Sequence, residues 1–298
     1  LFEHYPDSPE IRGDVADYYF EVQRFDRLVG GAIKALEESG ELDNTIIVMS
    51  GDHGMPFPRC KSNNYDSGAR IPLAIRWPAK IKAGTVINEF ASLVDVAPTF
   101  YETAGVAIPG DVTGRSLLPL LVGKDKGDRS YVIHGKERHV PGQEKPDMGG
   151  YPTRAIRTHD FLYLHNFEPD RWPAGTPHYK KASVGNAWLA DCDNGPTKTY
   201  MVQNRDKDEH HRKLYDLAFG KRPAEELYDL KKDPGQLVNV AADPAYAKTV
   251  KSLKDQLFAE LRKTGDPRVT GKGPDFDKFP YLGGAPKFQG PRKKPAKK

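Results

Sequence analysis

Asp52 and His53 stand side by side directly after the β-branched run Thr45-Ile46-Ile47-Val48 and the small pair Ser50-Gly51. A carboxylate and an imidazole delivered together from the end of an apolar strand are one way for an α/β enzyme to present metal ligands. Lys61 follows shortly afterwards, and a second apolar run, Leu73-Ala74-Ile75, comes after it. A cation beside metal ligands suits an anionic substrate oxygen, so the segment reads as the metal site of an ester hydrolase. A hard ion such as Ca²⁺ would take the Asp52 oxygens. The His53 nitrogen suits Zn²⁺ or Mn²⁺ better. The bland alternatives are an Asp52 that caps the next turn and a Lys61 that is simply solvated.

These residues need elements to hold them. Apolar residues at three- and four-residue spacings predict an amphipathic helix over Asp14 to Ser39, with Gly40 as its stop. The strand Thr45–Ser50 follows, giving one helix–strand unit of a doubly wound sheet. Leu73–Ile75 and Tyr131–His134 are further strands, and a helix is expected around Asp95–Tyr101. Gly135 to Pro152 is rich in Gly, Pro and charge and reads as a long loop. Ala155–Arg157 and Phe161–His165 form a hairpin pattern, and Phe167 to Pro196 is expected to be irregular. Glu226–Leu230 is a strand closed by Asp233-Pro234-Gly235, and Pro244–Thr264 is the last helix. The fold class is therefore α/β. Part of a doubly wound mixed sheet flanked by helices precedes a smaller antiparallel sheet with a C-terminal helix.

With 298 residues the chain can bury a substantial core in one large or two ordinary domains. Three regions are expected: 1–135 in the α/β unit, 136–282 in a smaller α+β unit, and 283–298 as a disordered basic tail. That tail carries six Lys or Arg and no acid; without it the net charge of +4 becomes −2. The body is not basic, and no nucleic-acid motif is present. Cys60 and Cys192 are too few for a disulfide framework. No apolar run approaches the roughly 20 residues of a membrane span.

Several blocks together resemble the sulfatase family of the alkaline-phosphatase-like superfamily, nearest to its N-sulfoglucosamine sulfohydrolase branch. They are Arg12-Gly13-Asp14-Val15-Ala16-Asp17-Tyr18-Tyr19, Ser50-Gly51-Asp52-His53-Gly54-Met55-Pro56-Phe57-Pro58, and Thr113-Gly114-Arg115-Ser116-Leu117-Leu118-Pro119. Tyr151-Pro152-Thr153-Arg154-Ala155-Ile156-Arg157 and Glu226-Leu227-Tyr228-Asp229-Leu230 continue the series in the family's order. The resemblance implies metal-dependent hydrolysis of sulfate esters or sulfamates on sulfated, glycosaminoglycan-like sugars. Asp52 and His53 would bind the metal, where relatives often have Asn at the second position. Lys61 would be the catalytic cation on the sulfuryl group. Asn63, His134, Arg138 and His139 are candidate substrate contacts.

The family's nucleophile is a formylglycine made from Cys or Ser in a C-x-P-S-R segment. Neither Cys60, in Arg59-Cys60-Lys61, nor Cys192, in Asp191-Cys192-Asp193, has that context. The chain is thus expected to be the carboxyl-terminal portion of such an enzyme, inactive alone, with the nucleophile in a missing N-terminal part. An incomplete sheet would leave an apolar edge or face exposed. The family also implies an exported, periplasmic, extracellular or lysosome-like location. Two other readings stay open: a phosphoesterase of the same superfamily, which His53 favours, and an inactive or glycan-binding relative. Glu209-His210-His211 lacks ligand spacing and reads as surface; Trp172 and Trp188 read as loop packing.

Overall fold

The computed structural model describes residues 1–284 and 287. All but residues 283, 284 and 287 of the basic tail lie outside the described residues.

Helix α1 (Pro9–Glu38) begins ahead of the expected Asp14. Ser8 explains the difference: its side-chain oxygen accepts from the Ile11 amide at 3.3 Å, and Pro9 fits the first turn. Gly40, at φ +75°, terminates it as expected. Ile11 is buried and Val15 and Tyr18 pack on the core, but Tyr19, Phe20, Val22, Phe25 and Leu28 are exposed. The expected stripe is therefore covered over its first turns, exposed in its middle, and half-buried again at Val29, Ile33 and Leu36. Strand β1 (Ile47–Ser50) pairs antiparallel with β2 (Leu73–Arg76), Ile47 opposite Arg76 and Ser50 opposite Leu73. All four β1 residues are half-buried rather than enclosed on both faces.

The short helix α2 (Asp66–Ala69) lies between those strands; α3 (Val96–Thr103) and α4 (Leu118–Leu121) follow. Buried Asp95 organises this stretch. Its carboxylate accepts from the Ser92 and Arg115 amides at 2.8 and 2.9 Å and from Arg129 at 2.5 and 3.0 Å.

The second sheet is a four-stranded antiparallel meander of β3 (Tyr131–Lys136), β4 (Thr153–Thr158), β5 (Phe161–Asn166) and β6 (Glu225–Asp229). The expected division after residue 135 falls inside β3, which pairs with β4 along its full length. Between β5 and β6 the chain forms the irregular loop and two helices, α5 (Pro196–Gln203) and α6 (Glu209–Phe219). Sequence reading placed no helix at α6, although Leu214, Tyr215, Ala218 and Phe219 are spaced as one buried face.

Strand alternation gives this sheet two apolar faces. On one, the cross-strand row Ile133, Ile156, Tyr163 and Leu227 meets Leu253, Leu257 and Leu261 of α7 (Ala247–Lys263). On the other, Ala155, Leu162, Leu164 and Tyr228 close around Tyr65. Each fully buried aliphatic side chain in such a layer contributes about 1.5–3 kcal/mol. The turn α8 (Asp275–Lys278) ends the described fold. No described helix is long and apolar enough to cross a membrane.

Tyr65 comes from the first part of the chain and packs in the second, and other contacts bind the parts further. Arg59 donates to the Leu217 and Gln236 carbonyls at 2.8 and 2.5 Å. Tyr5 donates to the Pro58 carbonyl at 2.8 Å beside His4, which is almost fully buried. Burial, reinforced by the Arg59 charge, lowers the His4 imidazole to about 3. An unfolded His4 would titrate near 6.5. A depressed folded value means that the unfolded state takes up its proton first as pH falls, so stability present above 6.5 is lost progressively below it. The melting temperature should therefore drop between pH 6.5 and 4, and His4→Gln should flatten that dependence in differential scanning fluorimetry. An unchanged slope in the variant would remove His4 as its cause.

Candidate active site

The chain leaving β1 makes a tight loop from Gly51 to Tyr65 before entering α2. Two glycines permit its crossing: a Cβ on Gly54 would meet the Ser67 carbonyl at 2.0 Å, and one on Gly68 the Cys60 carbonyl at 2.2 Å. The Gly54 amide donates to the Gly68 carbonyl at 2.9 Å across that contact. Arg59 and Ser62 both adopt positive φ, near +62° and +63°, a strained state for residues with a Cβ. The Lys61 amide donates back to the Met55 carbonyl at 3.0 Å. The loop is thus internally tied, and it carries all the candidate residues from Asp52 to Asn63.

Asp52 and His53 emerge where β1 ends, as the sequence suggests. His53 Nε2 is 3.3 Å from an Asp52 carboxylate oxygen, and its Nδ1 is 2.7 Å from the Gly54 carbonyl. The Asp52 side chain is 88% exposed and that of His53 39%. Their carboxylate and imidazole fit a divalent cation as two donors on an open edge. Among the described residues no third His, Cys, Asp or Glu joins them in a metal-binding group.

Lys61 is not a free loop cation. Its ammonium donates to Asp193 at 2.8 Å. Two residues away, buried Asp191 accepts from Lys136 at 2.5 Å, from His139 Nδ1 at 3.0 Å and from the Val140 amide at 3.2 Å. His139 Nδ1 is also 2.8 Å from the Ser62 hydroxyl. Burial would raise the Asp191 carboxyl, but Lys136 and His139 outweigh it and hold the group below its usual range. One acidic turn therefore fastens Lys61, Lys136 and His139 into a single polar cluster.

That turn has its own anchor. Buried Lys198 points its ammonium at the Trp188, Leu189 and Cys192 carbonyls and at Asn194 Oδ1, all at 2.8–3.0 Å. Burial, opposed by Cys192 and Asp193, draws this lysine down to about 8. Lys198 sits in the first turn of α5, whose Thr197 donates through both its amide and hydroxyl to Asp14 of α1 at 2.9 and 2.6 Å. Both cysteines are free and buried; burial pushes the Cys192 thiol up to about 12, which makes it a poor nucleophile.

The remaining candidates divide. Asn63 lies beside the cluster, donating to the Lys61 carbonyl at 3.0 Å and accepting from Arg222 at 2.8 Å. His134 is partly buried, 3.0 Å from the Asn64 carbonyl, and burial lowers its imidazole. Arg138 is spent on the Met148 and Phe279 carbonyls at 3.1 and 2.6 Å. Neither joins the cluster. Asp191, Asp193 and Lys198 were missed; the acid-rich Asp191-Cys192-Asp193-Asn194 turn was the available signal.

Residues 2–106 match the family model described as Sulfatase. An "Ulvan-active sulfatase" of Formosa agariphila is 29% identical over 261 residues, covering 88% of this chain and 40% of that protein. "N-sulphoglucosamine sulphohydrolase" of Homo sapiens is 29% identical over 275 residues, covering 89% and 51%. A solved structure of a protein in complex with its substrate D-glucosamine-2-N,6-O-disulfate shares the fold with TM-score 0.54 and 26% identity, covering 83% of this chain and 40% of that one. The chain spans about half the length, or less, of these relatives.

Asp191→Asn should cost on the order of 3 kcal/mol at pH 7, because it leaves the Lys136 charge half-buried without its partner. The Asp191 contribution is present above the unfolded carboxyl value and disappears as pH falls through the folded one. Urea titrations of both proteins should accordingly converge below about pH 4. A variant as stable as the parent at pH 7 would show that the cluster is not held by this carboxylate.

Proposed function

For a chain that carries a Sulfatase family domain and has sulfatase homologues, we propose that it supplies part of the active site of a hydrolase of sulfate esters or sulfamates on acidic sugars. The observation that carries the reading is the Lys61–Asp193 pair at 2.8 Å, on the same tied loop as Asp52 and His53. In this reading Asp52 and His53 are two ligands of a divalent metal, Ca²⁺ first, with Zn²⁺ or Mn²⁺ favoured by the imidazole. When bound, that ion would polarise the sulfuryl oxygens.

The chain's own residues do the rest of their share by position. Asp193 orients the Lys61 ammonium and uses one of its three donors, leaving two to meet anionic oxygens as charge builds on them. His139, half-exposed and braced by Asp191 and Ser62, faces a sugar hydroxyl or sulfate. Asn63 supports the Lys61 backbone rather than the substrate. The nucleophile, a formylglycine on the family pattern, comes from polypeptide outside these 298 residues, since neither cysteine here lies in the required segment. An exported location belongs to the same reading. So does the division of the chain into two units near residue 135.

The test is sulfate release from glucosamine N-sulfate and 6-O-sulfate by the full-length protein, with and without a chelator, and with p-nitrophenyl phosphate as the competing substrate. Lys61→Ala should lower kcat by about 10²-fold or more, the usual loss for one donor to a developing oxyanion. Asp52→Asn should weaken metal-restored activity. Turnover of the phosphate ester in preference to both sulfates would replace this reading with the phosphoesterase one.

A further inference from the structure

A cavity of about 470 Å³, whose lining includes neither Asp52 nor Lys61, lies between α6 and the entry to β6. Its wall holds five cationic side chains, Arg59, Arg212, Lys213, Lys221 and Arg222, against three acids. Two of the cations crowd one aromatic ring. The guanidinium carbons of Arg59 and Arg222 lie 3.7 and 4.9 Å from the centre of the Tyr65 ring. Glu226, one of the three acids, already accepts from Asn166 at 2.7 Å, Tyr65 at 2.8 Å and Tyr228 at 2.6 Å.

Elsewhere in the fold half-buried arginines meet carboxylates directly. Arg154 pairs with Glu137 and Asp266, Arg157 with Asp66, and Arg171 with Asp147 and Asp277. Around the cavity the matching is incomplete: Arg212 pairs with Asp206, but three of its neighbours on the wall have no carboxylate within ion-pair distance among the described residues. Arg222 makes one hydrogen bond among the described residues, to Asn63, although a guanidinium has five N–H donors. Lys213 and Lys221 have no carboxylate partner among the described residues, and Lys221 instead lies 5.2 Å from the Trp172 ring centre. Such a stack of aromatic and guanidinium groups accounts for Arg59. It leaves most of the Arg222 donors unused and does not balance Lys213 and Lys221, whose charges lie on the same wall and repel it.

We propose that this cavity is an oxyanion-binding subsite that takes a sulfate or carboxylate substituent of an acidic saccharide. The planar fork of Arg222 supplies paired donors to such a group, and Lys213 and Lys221 supply charge at the rim. Trp172, beside Lys221, gives a sugar ring an apolar face to rest on. Occupancy also reaches the candidate active site, because Arg222 holds Asn63 and Asn63 holds the Lys61 carbonyl. The subsite goes beyond the proposed hydrolysis and stands whether or not the chain turns over a sulfate ester.

Calorimetric titration of the full chain with a heparin-derived tetrasaccharide at low salt tests it, with inorganic sulfate as competitor. Arg222→Gln is the direct variant but removes a half-buried group, so the exposed pair Lys213→Ala/Lys221→Ala is measured beside it. The double variant should weaken tetrasaccharide binding about tenfold or more while melting at the parental temperature. Lys61→Ala should retain the component that the double variant loses, and inorganic sulfate should displace the tetrasaccharide from it. Unchanged affinity in the double variant overturns the proposal. So does complete loss of binding in Lys61→Ala, which would assign all binding to the Lys61 cluster, or failure of sulfate to compete.

Discussion

The candidate site depends on one buried charge. The Lys198 ammonium gathers three backbone carbonyls and an amide oxygen of the 188–194 turn, and an irregular turn has no ladder of its own to fix it. A buried ammonium without partners would be costly, and four unpaired oxygens would be costly too; each solves the problem of the other. Once the turn is fixed, Asp191 and Asp193 are fixed, and through them Lys61, Lys136 and His139. The cations of the candidate site are thus held by acids that are themselves held by a buried lysine.

A second constraint joins the two parts of the chain. The four-stranded sheet has no free apolar face, because α7 covers one side and Tyr65 completes the other. The loop that carries Asp52, His53 and Lys61 therefore ends in a residue belonging to another sheet's core. The strained Arg59 reinforces this by reaching the Leu217 and Gln236 carbonyls. Positive φ at Arg59 and Ser62 is tolerated because both ends of the loop are held by packing that the loop does not itself provide.

Much of this was legible in residue order. Short apolar runs bounded by turn residues located β4, β5 and β6, a leucine stripe located α7, and the run into Asp52 located β1. The α/β class, the antiparallel sheet and the C-terminal helix follow directly from those patterns. Helix α6 escaped because charged residues dominate its first turn and hide the Leu214 to Phe219 face. The burial of β1 was overestimated for a different reason: an apolar run shows what a strand could bury, not what is present to cover it. At the site, adjacency in sequence exposed Asp52 with His53, but the partner of Lys61 is Asp193, far along the chain. A pairing of that kind leaves no periodicity, and an acidic turn in an irregular loop looks the same whether it faces water or a lysine.

Helix α1 has an unusual attachment. It is fixed to the rest of the fold near its N-terminal end, where Asp14 grips Thr197 at the start of α5, while its later turns carry exposed aromatic and aliphatic side chains. From Asp14 to Glu38 the helix runs roughly 35 Å at the usual rise per residue. Its grip on Thr197 is next in sequence to Lys198, so a displacement of α1 at that contact is passed to the start of the helix that anchors the turn holding Lys61.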